Sequence, residues 1–233
     1  MTPPPVALVK IEVAAENALI VYLGEVANAD VSAAIFYLSE ALKKHLGAAI
    51  ISLIPSYTSL LISYDLGHSN AAEVTAAVHK IIATARLHTA VASRLVVLPV
   101  YYGADVALDL ASLATAKGLS VAQVITIHQQ CEYRVYAIGF APGFAYLGDV
   151  DQRIAAPRLA TPRQRVPRGA VAIAERQTGV YPSESPGGWN IIGRCPVPMF
   201  DPLSTPAMPV VVGDRVQFQA IGVEKFLALG GVL

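Results

Sequence analysis

Charge is scarce in this 233-residue chain: 15% of its residues are Asp, Glu, Lys or Arg, and 17 cations balance 17 anions. Nucleic-acid binders neutralise phosphates with a basic excess, so no nucleic acid is expected as a partner. Cysteine is almost missing. Cys131 and Cys195 stand far apart, with no Cys-x-x-Cys pair and no histidine at ligand spacing. That excludes a disulfide scaffold and a zinc site, and both thiols are expected to be reduced. No apolar run approaches the ~20 residues of a membrane span. The start, Met1-Thr2-Pro3-Pro4-Pro5, lacks the basic head and apolar stretch of a signal peptide. A cytoplasmic protein without a membrane partner is expected. A phosphate-binding glycine loop, a nucleophile elbow, a zinc-protease helix and a dinucleotide fingerprint are absent too, which disfavours a self-sufficient ATPase or serine hydrolase.

What the chain has is apolar residues, 54% of the total, enough to bury a core at roughly 100–200 residues per domain. Residues 1–90 carry 5 Lys+Arg against 7 Asp+Glu and four prolines, whereas 91–233 carry 12 against 10 and twelve prolines. This shift predicts two domains, 1–90 and 91–233. In the first, 6–13, 18–23, 48–54 and 57–64 read as β-strands, with Pro55-Ser56 as the turn between the last two. One helix is expected with Asp30 as its cap, Ile35, Leu38, Leu42 and Leu46 on its apolar stripe and Gly47 as its stop. A second begins with Asn70 as cap and carries Val74, Val78, Ile81 and Ala85 on one face. The expected result is a small sheet with helices on one side.

The second part opens with a strand over 94–101, followed by a helix over 105–117 ended by Gly118. Ser120 and Gln123 then form a capping box for another helix. From Cys131 onward, short apolar runs at 171–174, 191–192, 210–212 and 216–218, broken by Gly and Pro, argue for a barrel or a sandwich.

Residues 139–200 hold 8 of the 17 glycines and two Pro-Gly pairs, Pro142-Gly143 and Pro186-Gly187, each suited to a type II turn. Phe140, Phe144 and Tyr146 flank one, and Ser183, Ser185, Trp189 and Asn190 flank the other. This mixture suits a ligand pocket, and it equally suits hairpin corners plugged by aromatics. Arg153, Arg158, Arg163, Arg165, Arg168 and Arg176 lie between. Arginine grips carboxylate or phosphate with a planar fork, although arginines solvated or engaged elsewhere are the commoner case. His128 falls beside the apolar face of the capping-box helix, where a satisfied core histidine is the default and proton exchange is the alternative.

Read continuously, Gly139-Phe-Ala-Pro-Gly-Phe-Ala-Tyr-Leu-Gly148, the Pro-Arg pairs at 157, 162 and 167, Gln177-Thr-Gly-Val-Tyr-Pro182, Ser185-Pro-Gly-Gly-Trp189 and Ile192-Gly193-Arg194 resemble the allophanate hydrolase subunit 1 family over essentially the whole chain. That family includes the B-subunit of bacterial ATP-dependent 5-oxoprolinase and an inhibitor of a sporulation histidine kinase. One departure is Cys195, where the family usually has threonine; it exchanges a hydroxyl for a weakly bonding thiol. The resemblance implies an α+β protein, a small α/β N-terminal domain followed by a cyclophilin-like β-barrel. It also implies one half of a carboxyltransferase domain whose other half is a separate partner chain.

The activity it implies is a non-autonomous subunit of a heteromeric complex that opens the lactam of 5-oxoproline to L-glutamate. ATP would be used by the complex and not bound by this chain alone. Arg158 or Arg163 would then hold a carboxylate or phosphoryl oxygen, Tyr181, Ser185 and Asn190 would orient the lactam, and Phe144 and Trp189 would wall it from water. His128 would be the proton-transfer candidate, and Arg194 is expected at the same cleft. The alternatives are a regulatory inhibitor of a histidine kinase and half of a urea- or allophanate-metabolising enzyme.

Overall fold

A computed structural model describes residues 9–84 and 93–233. The chain forms two compact units, Met1–Ser93 and Arg94–Leu233.

In the first unit, β1 (Lys10–Ala15), β2 (Ala18–Tyr22), β3 (Ile50–Ser56) and β4 (Ser59–Tyr64) form an antiparallel sheet in the order β1-β2-β4-β3. The start of the expected strand at 6–8 lies outside the described residues. The turn between β3 and β4 falls at Tyr57-Thr58, not at Pro55-Ser56. Pro55 instead lies inside β3, an edge strand, where a missing N–H costs no ladder bond on the open side. Helix α1 (Ala29–Leu46) is capped by Asn28, whose side chain accepts from the Val31 amide; Asp30, expected as the cap, sits in the first turn. Gly47 ends the helix as expected, but at φ 51° and ψ -119°, a conformation open to glycine that lies outside the left-handed helical region a left-handed stop would occupy. Asn70 accepts from the Glu73 amide ahead of α2 (Ala71–Thr84). Ala85, expected on its stripe, lies outside the described residues. Leu38 and Leu42 of α1, Val74 and Val78 of α2, and Leu60 and Ile62 of β4 make one buried core, each worth roughly 2 kcal/mol over exposure.

The second unit is built on seven strands in the order β12-β9-β10-β7-β6-β13-β5. These are β5 (Leu95–Val100), β6 (Glu132–Ile138), β7 (Ala145–Gly148), β9 (Ala170–Ala174), β10 (Gln177–Val180), β12 (Asn190–Arg194) and β13 (Arg215–Ala220). Just beyond β5, Tyr101 exchanges two 2.8 Å backbone hydrogen bonds with Arg194 of β12, which joins the outer strands and closes the sheet into a barrel. The expected α+β class with a C-terminal barrel is therefore observed. A separate ribbon, β8 (Arg163–Val166) with β11 (Ser185–Gly187), accompanies it. Two helices put their apolar faces into the barrel core: Leu110 and Leu113 from α3 (Leu110–Ala116), Val124 and Ile127 from α4 (Val121–Gln130). The Ser120 capping box is complete, with bonds of 2.8 and 3.2 Å. A last short helix, α5 (Val223–Ala228), buries Phe226.

Three local expectations are corrected. Helix α3 begins at Leu110 instead of 105, because the Val106 and Ala107 amides both turn back to the Gly103 carbonyl. The 210–212 run is a loop, held by the Val211 amide donating to the Asp214 carboxylate. Pro142-Gly143 makes the expected turn, with Gly143 at φ 85° and the Phe144 amide 3.0 Å from the Ala141 carbonyl. Pro186-Gly187, however, lies within β11.

Candidate functional site

β9 is buried on both faces, and its alternation divides the second unit. Val171 and Ile173 face the barrel core, while Ala170, Ala172 and Ala174 face a separate aromatic cluster. Small residues make this second face receptive. A Cβ on Gly179 of β10 would lie 2.9 Å from the Ala145 carbonyl and 3.4–3.5 Å from the rings of Phe144 and Trp189, so its absence lets both rings lie close to the sheet. Phe144 is the hub, meeting Tyr146, Tyr181, Phe140 and Trp189 edge-to-face at centroid distances of 4.9, 5.2, 5.5 and 5.5 Å. Such pairs each add about 0.5–1.5 kcal/mol beyond their burial.

The polar groups at this cluster are few. The Tyr181 hydroxyl rests where a side chain on Gly187 would have to be, which explains the glycine in β11. Burial raises the Tyr181 phenol above its ordinary value, while nearby Arg158 pulls it down and Tyr146 pushes it up. Arg158 is exposed. Asn190 donates to the carbonyls of Pro157 (2.8 Å) and Ile173 (3.1 Å), so it ties the loop bearing Arg158 to β9. Both Nδ2 hydrogens are thereby committed to the backbone, which gives Asn190 a positioning role and leaves only its Oδ1 acceptor for the expected lactam-orienting one. Phe144, Tyr181, Trp189 and Arg158 of the expected site thus come together.

The others do not. Arg163 sends both arms of its guanidinium to Asp109, at 2.7 and 2.9 Å, so the fork expected for a substrate carboxylate already holds one. Arg194 donates to the Val232 carbonyl at 2.7 Å, near Asp105, and burial lowers its ordinary affinity for a proton. Its Nε is buried without a hydrogen-bond partner. Ser185 lies on β11 with its hydroxyl equally buried and unpartnered.

His128 is a core residue, and the expected proton exchange is corrected. The ring is wholly buried and stacked on Phe218 at 4.5 Å. Thr178 donates its hydroxyl hydrogen to the Ala172 carbonyl (3.0 Å), so its oxygen must accept from His128 Nε2 (3.1 Å). Nδ1 then accepts from the Tyr102 hydroxyl (2.7 Å). One neutral tautomer satisfies every proton in the chain, and burial pushes the imidazole down to about 3.

Sequence reasoning missed a group at the barrel end of the same strands. The Tyr136 ring lies across Gly148, where a Cβ would come within 2.9 Å of it. Its phenol hydrogen-bonds Asp149 and is raised by burial and by that carboxylate, with Arg134 and Arg176 opposing. Arg176 stands 3.8 Å from Asp149. The available signal was strand alternation in β6, which sets Arg134 and Tyr136 opposite the core residues Tyr133 and Val135. A shallow concavity of about 510 Å³ lies elsewhere, between Pro142, Arg168, Pro182, Ser183, Phe200 and Asp201. Burial pushes the Cys195 thiol up to about 12, so it stays protonated and unreactive. Among the described residues no three His, Cys, Asp or Glu side chains gather to hold a metal ion, and no single helix is long and apolar enough to cross a membrane. The arrangement is a packed aromatic cluster in which Phe144, Tyr181 and Trp189 are buried, edged by the half-buried Tyr146 and the exposed Phe140 and Arg158; among the described residues it contains no nucleophile paired with a base.

Comparison with known proteins fits this architecture. The family model for the carboxyltransferase domain, subdomain C and D, matches residues 9–210. The 5-oxoprolinase B-subunit of Bacillus subtilis is 37% identical over 229 residues, which cover 94% of this chain and 95% of that protein. The crystal structure of TTHA0988 is 34% identical with a TM-score of 0.78 over 88% of this chain, and the match spans only 40% of that longer chain. The Kluyveromyces lactis urea amidolyase, 18% identical with a TM-score of 0.73, shares the fold; 94% of this chain matches 15% of it. By the extent of these matches, the chain belongs to the family of carboxyltransferase-domain subdomains C and D that includes the 5-oxoprolinase B-subunit.

Proposed function

We propose that this chain is a non-autonomous subunit of an ATP-dependent 5-oxoprolinase, which opens 5-oxoproline to L-glutamate together with companion chains. The observation that carries the reading is the nearly end-to-end match to a 5-oxoprolinase B-subunit. The aromatic cluster supports it. A lactam is a poor electrophile, and ATP used by the complex would activate its oxygen so that water can open the ring. Arg163, Arg94, Arg153 and Arg215 of the second unit turn to carboxylates of their own chain, which supports seating the nucleotide elsewhere in the complex. Nucleotide binding is therefore assigned to a companion chain.

What this chain's residues do is bind and exclude. Arg158 meets the substrate carboxylate with its fork. Phe144, Trp189 and Tyr146 flank the flat ring and keep bulk water away, which strengthens the charge contact at Arg158. The Tyr181 hydroxyl orients the ring edge, and Asn190 holds the Arg158 loop in place.

The test is to express the chain alone and with its candidate companion subunits, then follow glutamate release from 5-oxoproline with and without ATP. ATP-dependent release by the full set and none by the single chain is expected. Turnover by the single chain would sink the non-autonomous reading, and inactivity of the full set would turn attention to a regulatory role.

A further inference from the structure

Phe140 combines two unfavourable features: 65% of its surface is exposed, and its backbone is held at φ 72°. A bulky residue at positive φ is an outlier, and a ring left in water gains nothing from burial. The loop does not let it relax. Gly139 donates to the Phe144 carbonyl and the Phe144 amide donates to the Ala141 carbonyl, both at 3.0 Å. Gly143 is seated against the Met199 carbonyl and Phe200, where any side chain would collide. Strain persists where the surroundings over-determine it, and it concentrates at ligand clamps and switch regions. The Phe140 ring stands 5.5 Å from Phe144 at 74°, on the rim of the aromatic cluster and turned mostly to solvent.

We infer that Phe140 is a clamp residue whose ring covers the flat amide of a small lactam on the rim of the Phe144, Tyr146 and Trp189 cluster. This deepens the proposed function and rests on it for the class of ligand. A planar amide offers two faces for stacking and a polar edge for Tyr181 and Arg158, and a rigidly presented ring covers such a face at little entropic cost. Because the strain belongs to the free chain, removing the side chain should relieve the fold while harming binding. A merely structural role predicts no harm to binding.

Trp189 is the chain's one tryptophan and lies 5.5 Å from Phe144, so its emission reports on the cluster. The experiment titrates the full chain with 5-oxoproline, following Trp189 in wild type, F140G and F140Y, and runs glutamate release by the reconstituted set alongside. F140G is expected to keep or raise its melting temperature and to bind roughly tenfold more weakly, while F140Y stays within about threefold of wild type. Equal affinity in F140G, or a wild-type chain whose Trp189 does not respond, overturns the clamp. Loss of F140G co-elution with the companion subunits would place the ring at a partner surface and overturn it as well. If the wild-type set releases no glutamate while binding still depends on Phe140, the clamp stands and the proposed function falls.

Discussion

Arg163 and Asp109, 54 positions apart, form a bidentate ion pair that fastens the β8–β11 ribbon to the start of α3. Asp109 also accepts the Ile191 amide at 2.7 Å, and its own amide donates to the Ile191 carbonyl at 2.8 Å. One carboxylate thus joins ribbon, helix and barrel strand.

Removing that carboxylate should be costly. D109A leaves a guanidinium and the buried Ile191 amide without their acceptor, and a loss of about 3 kcal/mol is expected. R163K keeps the charge but forfeits the second arm, at about 1 kcal/mol, since the arginine is partly solvated. Urea unfolding of both variants checks the order; D109A no weaker than R163K would refute this account of the joint.

The buried His128 predicts acid sensitivity. Its folded pKa is depressed to about 3 from 6.5. Below 6.5 the unfolded chain takes up a proton that the folded ring refuses, so this contribution is fully present above 6.5 and fades as pH falls from there toward 3. The slope approaches about 1.4 kcal/mol per pH unit within that window. The ring's partners and contacts are all uncharged: Tyr102, Tyr133, Thr178 and Phe218. H128Q should flatten the stability-versus-pH curve between pH 4 and 6 relative to wild type, measured by chemical denaturation. Parallel curves would count against a neutral buried imidazole.

Gly179 is expected to tolerate nothing larger. In G179A the new methyl meets the Ala145 carbonyl at 2.9 Å, and backbone cannot step aside as a side chain can. A cost of about 1–3 kcal/mol follows, with a shift in Trp189 emission because that ring is also in contact. An unchanged spectrum with wild-type stability would mean that the aromatic cluster does not lie on the sheet as described.

Local signals are legible in the sequence where one residue's chemistry decides the outcome. Asn70, Ser120, Gly47 and Pro142-Gly143 all act within four positions of themselves. Asp30 yields to Asn28 because two good caps stand two residues apart and only the helix start chooses between them. Pro186-Gly187 departs from the turn its residues suggest for another reason: its glycine answers to Tyr181 across the fold, and not to a turn. The same limit governs the site. Phe144, Tyr181 and Trp189 share a recognisable aromatic character and do converge, whereas the arginines look alike in sequence. Whether Arg163 meets a ligand or Asp109 depends on a contact 54 positions away. His128 lies on the apolar face as its spacing predicts, but nothing local reveals that both its nitrogens are already satisfied.

Asn190 gives the last prediction, because it should act on substrate only through Arg158. Its two bonds to the Pro157 and Ile173 carbonyls fix the loop from which Arg158 extends, and the side chain has no further donor to offer. N190A should raise KM for 5-oxoproline in the reconstituted complex severalfold with little change in kcat, since loosening an anchor weakens binding without touching the reacting bonds. R158A should raise it about tenfold or more, the scale of a lost charge-assisted hydrogen bond. The discriminating measurement is the double variant. If Asn190 works by holding Arg158, N190A adds almost nothing once Arg158 is gone, so the two effects are strongly non-additive. Independent effects that multiply in the double variant would show that Asn190 serves the site by another route.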